Sequence, residues 1–352
     1  MKKDTDKSRV AVVLPCYKSK EQVFQVLQEI GEEADLIVCV DDGCPMGTGN
    51  YIERVCTDPR VRVIFHSENR GVGGAVITGY RYALEMGSQV IVKIDSDAQM
   101  DPKLIPLFIK PVLEGYADYT KGTRFTLQKN LDGMPKIRIF GNAVLSLFAK
   151  LSTGYWKNLD PTNGFTAIHA SVLKHLPLDK IDRRFFFETD MLYQLRKADA
   201  KVLDIPMKAD YGDEESNLKV GKSIIIFAMK HIRNTIRRIF YQYFIKDFGI
   251  ATIQLVMGLI LLIFGSVTGI IEWRESIITG NTASAGSVML AALPVILGIQ
   301  LLLSFLNYDI STLPEFPISR TITIPEQPSP NDRETRDEEK LDNQHKHSIR
   351  NR

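Results

Sequence analysis

The chain has 352 residues, 44 of them Lys or Arg and 42 Asp or Glu, for a formal net charge of +2 at pH 7. That balance excludes a globally basic nucleic-acid binder and an acidic, self-repelling chain. The length suits one large α/β domain or two smaller ones; the 44% hydrophobic content is ordinary for a globular protein but crowds between Phe248 and Leu306.

Residues 1–9 are charged and run straight into an apolar segment, unlike a secretory signal peptide. Residues 10–14, closed by Pro15, read as a buried parallel strand. Val23, Val26, Leu27 and Ile30 share one face of a helix over 21–30. A second strand over 36–40 runs into Asp41-Asp42-Gly43, and a third covers 61–65. The Gly-rich turn Asn69-Arg70-Gly71-Val72-Gly73-Gly74-Ala75 leads into a helix over 73–85, and a fourth strand over 90–94 ends in Asp95-Ser96-Asp97. This alternation predicts an open, mostly parallel α/β sheet, whose ligands bind at the carboxyl ends of the strands. Both acidic clusters lie there. Beyond residue 116 the pattern is more mixed: helices over 137–151 and 188–196 and a strand over 202–206 complete the same domain. Phe185-Phe186-Phe187 reads as core, with one ring to stack on a sugar, and His66 as structural. Cys16, Cys39, Cys44 and Cys56 have neither Cys-x-x-Cys spacing nor a nearby His pair, so reduced thiols are expected rather than a zinc site.

From 221 to 247, Ile225, Met229, Ile232, Ile236 and Ile239 recur at helical spacing among Lys222, Lys230, Arg233, Arg237 and Arg238. Such a basic amphipathic segment suits an anionic membrane surface. Residues 248–271 and 286–306 are each long enough to cross a hydrocarbon core of ~30 Å, and the connector 272–285 holds one basic residue, Arg274. The positive-inside rule places the domain and the C-terminal tail in the cytoplasm, at the cell (inner) membrane. The expected organisation is a catalytic domain (1–220), an amphipathic segment (221–247), two membrane helices (248–307) and a tail (308–352), polar and disordered over 326–352.

The strongest chemical signal is Asp95-Ser96-Asp97-Ala98-Gln99. Two carboxylates at i and i+2 with an amide at i+4 offer hard oxygen ligands suited to Mg²⁺ or Mn²⁺, an ion able to neutralise a leaving diphosphate. A carboxylate of Asp41 or Asp42 at the same sheet edge suits a base N–H or ribose hydroxyl. The Gly-rich turn at Gly71 lets backbone amides approach a phosphate or sugar. It lacks the Lys-Ser/Thr of a P-loop and does not follow the first strand, as a dinucleotide fingerprint does.

Taken in order, Leu14-Pro15-Cys16-Tyr17, Val40-Asp41-Asp42-Gly43, the Asn69–Ala75 turn and Asp95-Ser96-Asp97-Ala98-Gln99 resemble an inverting family 2 glycosyltransferase with the GT-A fold. Within it the chain looks most like the polyprenyl-phosphate hexosyltransferases, the dolichol-phosphate mannose synthase-like branch. The resemblance implies that Pro15, Tyr17, Asp41 and Asp42 line a nucleoside pocket and that Asp95, Asp97 and Gln99 hold the metal and diphosphate. It implies that Arg124 and Arg138, the latter four residues before Asn142, face the acceptor phosphate, and that Asn163-Gly164-Phe165 closes the sugar pocket. The branch's Arg before a Gly-x-Ser-Lys run is missing from 211–219. Glu188 and Asp190 have three readings: a general base, a sugar contact, or charges at a helix N-terminus.

The expected reaction moves a hexose from a UDP- or GDP-sugar to a polyprenyl phosphate at the membrane, with no nucleic acid involved and a homo-oligomer left open. One alternative acceptor is a hydroxyl of a lipid-linked saccharide, for which Glu188 or Asp190 would serve as base. A non-catalytic membrane scaffold is disfavoured by the intact Asp95-x-Asp97-x-Gln99.

Overall fold

Strands that are apolar at nearly every position must be covered on both faces. β1 (Val10–Cys16), β2 (Leu36–Asp41) and β4 (Val90–Lys93) are buried throughout, while β3 (Val61–Phe65) is a half-exposed edge. The computed structural model describes residues 9–124, 136–207 and 220–322; the side chains of 136–140, 142, 143 and 220–224 lie outside that description. With β5 (Tyr119–Thr123), β6 (Thr166–His169) and β7 (Val202–Pro206), the strands form one sheet in the order β3-β2-β1-β4-β6-β5-β7. β1 runs parallel to β2 and β4, β2 to β3, and β5 to β7; β6 alone is antiparallel to its neighbours. The expected mostly parallel α/β sheet is therefore present.

One face carries α1 (Gln22–Glu29) and α4 (Ile105–Leu113) on Val12, Leu14, Ile37 and Val92. The other carries α3 (Val72–Glu85) and α7 (Phe187–Lys197) on Ala11, Val13, Val38 and Ile91. The short helices α2 (Thr48–Val55) and α6 (Ala170–His175) complete the domain.

Helix α5 (Lys136–Thr153) packs against α8 (Val220–Phe240), which continues into a π turn at Tyr241–Lys246. α9 (Ile250–Thr279) and α10 (Ala285–Ser311) pair as a hairpin, with mean hydropathy 2.3 over the most apolar 18 residues of each. At 1.5 Å per residue they are roughly 45 and 40 Å long, beyond the ~30 Å a bilayer core requires. Only 22% and 11% of their most apolar stretches are buried, so they are not core helices of the α/β domain. Both extend past the spans expected from sequence.

The chain after α10 returns to the domain. The N–H groups of Ile318 and Ser319 donate to the two oxygens of buried Asp118 at 2.9 and 2.8 Å, and Leu313 and Ile318 pack on the α3/α7 core. The first part of the segment expected as a tail is thus docked. Residues 326–352, expected as disordered, lie outside the described residues.

Candidate active site

The sheet order reverses between β1 and β4, and a crevice opens where those two strands end. A cleft of about 900 Å³ occupies it, walled by Pro15, Tyr17, Lys18 and Ser19 after β1, Asp42 after β2, and Asn69 and Gly71 before α3. Asp95, Ser96 and Asp97 after β4 and Arg184 and Phe185 before α7 complete the wall, with Arg184 beside Gly71. Ser96 stitches the two central loops: its hydroxyl donates to the Pro15 carbonyl at 2.8 Å and lies 2.7 Å from the Ser19 hydroxyl.

The adjacent aspartates after β2 do different things. Asp41 accepts from the N–H groups of Cys44 and Gly49 at 2.7 and 2.6 Å, which fixes the turn into α2, and it does not line the cleft. Asp42 faces the cleft and accepts from the N–H groups of Arg70 and Gly71 at 2.9 and 2.8 Å, and its Oδ1 lies 2.8 Å from Nδ1 of His66. It thereby pins the Gly-rich turn. Gly71 there has φ +85°, and a Cβ on it would strike the Arg183 carbonyl. His66 is structural, as its position after a strand suggests.

Asp95 and Asp97 open to the cleft at the end of β4. Between Asp97 and Gln99, Ala98 takes φ 60°, a left-handed conformation that non-glycine residues seldom hold outside functional turns. This brings the Gln99 N–H to Asp97 Oδ1 at 3.1 Å, but the Gln99 side chain is not part of the cleft wall. Beneath the pair sits Lys93, which the sequence reading did not single out. Its ammonium is 1% exposed, 2.8 Å from Asp95 Oδ1 and 2.9 Å from Glu188 Oε1. Burial, which would lower its pKa, is outweighed by these two carboxylates, so Lys93 stays charged. Burial raises the Glu188 pKa, with Lys93 opposing.

Other expected site residues face elsewhere. Arg124 forms a two-pronged ion pair with Asp160 at 2.6 and 2.7 Å and does not line the cleft. Asn163 is buried: its side chain accepts from Phe165 N–H at 2.9 Å and donates to Asp160 at 3.2 Å, shaping the turn that carries Gly164 beneath Asp95. Asp190 is buried too. It accepts from Asp182 N–H and from Asn234 Nδ2, each at 2.8 Å, bracing α7 against α8. The Arg138 and Asn142 side chains and the 211–219 segment lie outside the described residues. Besides Lys93, the sequence reading missed Lys18, Ser19 and Arg184; the one signal for Lys93 was a charge at the end of an otherwise apolar strand. Phe186 and Phe187 are core, as expected, whereas Phe185 is 62% exposed at the cleft.

Two carboxylates from one strand end fit a hard divalent cation. Among the described residues no group of three or more His, Cys, Asp or Glu gathers to cage one.

A doubly covered sheet with an acidic cleft at its switch point defines a nucleotide-sugar transferase of the GT-A fold. The model of glycosyl transferase family 2 matches residues 11–177. The undecaprenyl-phosphate mannosyltransferase of Micrococcus luteus is 30% identical over 205 residues, 56% of this chain and 82% of that protein. The UDP-N-acetylglucosamine–dolichyl-phosphate N-acetylglucosaminyltransferase of Methanococcus voltae is 27% identical over 62% of this chain and 91% of its own. The chain belongs to glycosyl transferase family 2. In fold it is similar to glucosyl-3-phosphoglycerate synthase from Mycobacterium tuberculosis, solved with Mn²⁺, UDP-glucose and phosphoglyceric acid (TM-score 0.50, 18% identity, 66% of this chain and 79% of that one).

Proposed function

We propose that this glycosyltransferase moves a hexose from a UDP- or GDP-sugar to a polyprenyl phosphate, with a divalent metal, at the cytoplasmic face of the inner membrane. The observation that carries the proposal is an acidic cleft large enough for a nucleotide sugar, on a domain fastened to an amphipathic helix and an apolar hairpin. The relatives named for undecaprenyl and dolichyl phosphate support it. Asp95 and Asp97 would hold Mg²⁺ or Mn²⁺, which when bound neutralises charge on a leaving diphosphate. The N-terminus of α3 behind Gly71 favours an anion at the wall of the same cleft. Lys93 fixes Asp95, and Asp42 fixes the turn. A phosphate nucleophile is already anionic, so it needs orientation more than a base. Glu188, paired with Lys93 beneath the cleft, fits that chemistry better than it fits proton abstraction from a hydroxyl.

The test uses the full chain in membranes with labelled nucleotide sugars, Mg²⁺ or Mn²⁺, and undecaprenyl phosphate as sole acceptor. One donor should yield a lipid-phosphate sugar, EDTA should stop the reaction, and Asp97→Asn should lower turnover by about a hundredfold or more. Product only on a lipid-linked saccharide would replace this reading with hydroxyl glycosylation.

A further inference from the structure

We infer that Arg184 is a residue that receives the phosphate of the acceptor, a reading that rests on the polyprenyl-phosphate assignment above. An anionic acceptor approaching a donor diphosphate needs a cation at the cleft, on the side from which the lipid arrives. The resemblance assigned that task to Arg124 and Arg138; Arg124 holds Asp160 outside the cleft, and the Arg138 side chain lies outside the described residues. Arg184 lies on the cleft wall that also includes Asp97 and Gly71, with its side chain over Gly71. Among the described residues no carboxylate pairs with its guanidinium.

The segment carrying Arg184 is fastened at both ends. On the cleft side the Arg183 carbonyl accepts from Gly74 N–H at 3.0 Å. On the other side Asp182 pairs with Lys230 of α8, and the Phe186 ring packs 4.9 Å edge-on against His231 and 5.8 Å from Phe227, both on α8. The opposite face of α8 exposes Ile225, Met229, Ile232, Ile236 and Phe240, each more than half accessible. A helix resting on the bilayer through those residues thus holds, by direct contact, the loop that presents a guanidinium to the cleft. Phe185, 62% exposed beside Arg184, gives the first isoprene units an apolar surface. The donor diphosphate has other partners in Lys18, after β1, and the Asp95/Asp97 pair, after β4. In the transfer, a phosphate oxygen of the acceptor forms the bond to the anomeric carbon as the bond to the nucleoside diphosphate breaks, and no proton need be removed.

The experiment compares wild type, Arg184→Gln and Arg184→Lys in detergent as full chains. It measures the acceptor KM with undecaprenyl phosphate, nucleoside diphosphate affinity with Mn²⁺, and inhibition by farnesyl phosphate against farnesol. Arg184→Gln should raise the acceptor KM about tenfold or more, Arg184→Lys should recover part of it, and nucleotide affinity should stay within about twofold. Farnesyl phosphate should outcompete farnesol on wild type and lose that advantage in Arg184→Gln. Nucleotide affinity falling in step with acceptor KM would assign Arg184 to the donor and overturn the inference, as would an unchanged acceptor KM. Wild type that ignores undecaprenyl phosphate would instead overturn the underlying reading, and the inference with it.

Discussion

A methyl group at Gly164 would overlap Asp95 Oδ2 and come 2.6 Å from Lys93 Nζ. Lys93 has no room to yield, because it is buried and held between two carboxylates, so the clash falls on Asp95, which opens to the cleft. Gly164→Ala should therefore push Asp95 off its position, and a displacement of about 1 Å at a reacting site lowers rate roughly a hundredfold. Turnover measured beside the thermal melt checks this: a large loss of rate with a melt close to wild type is expected. Asp95 and Asp97 were legible as cleft residues because the sequence put them at the carboxyl end of a buried strand, where ligands of an open α/β sheet bind. The Lys93 partnership was not, since Glu188 lies 95 residues away. Nor was the choice between Asp41 and Asp42, because adjacent residues leaving a strand point to opposite sides and sequence does not say which side is the cleft.

The helices show the same division. The apolar row of α8 and its basic residues were readable at helical spacing: Ile225, Met229, Ile232, Ile236, Arg233 and Arg237 are exposed, but Arg238, expected among the surface cations, is buried on Asp309. Its third side, where His231, Asn234 and Arg238 are buried against the domain, carries no apolar signature. β5 escaped notice for a related reason: Tyr119-Thr120-Lys121-Gly122-Thr123 is buried yet polar, with Thr120 donating to the Phe108 carbonyl at 2.8 Å. His231 lies 2.8 Å from the Ser152 hydroxyl and against the rings of Phe148 and Phe186, and burial lowers its pKa from 6.5 to about 4. Between those values the unfolded chain binds more protons than the folded one. The stabilisation from neutral His231 is thus complete above about pH 6.5 and is lost as pH falls toward 4. Asp190, whose pKa burial raises, acts in the opposite sense in the lower part of that range. The informative quantity is therefore the difference between wild type and His231→Gln. The melting temperature of the wild type should fall more steeply from pH 7 to 5; equal slopes would mean that His231 protonates freely in the folded protein.

At the scale of the whole molecule, two apolar helices long enough to cross a membrane were legible from length and composition, but the way they are joined to the α/β domain was not. The join centres on Asp309, 2% exposed near the end of α10. It accepts from Arg238 of α8 at 2.6 and 2.9 Å, from the Tyr243 hydroxyl of the π turn at 2.7 Å, and from Trp156 Nε1 of the domain at 2.8 Å. These partners lie 71, 66 and 153 residues away in sequence. The Asp118 contact with Ile318 and Ser319 adds a second tie just beyond it. Removing one member of a buried ion pair leaves the other charge uncompensated, at about 3–5 kcal/mol. Asp309→Ala should therefore lower the melting temperature in detergent while nucleotide binding in the remaining folded protein is kept, since the cleft shares no residue with this join. If the loss arises from stranded charge rather than lost shape, the double variant Asp309→Leu, Arg238→Met should recover most of it, because buried pairs replaced by apolar groups of similar volume are often neutral. A double variant no more stable than Asp309→Ala would instead assign the stabilisation to the hydrogen bonds from Tyr243 and Trp156, which neither substitution restores.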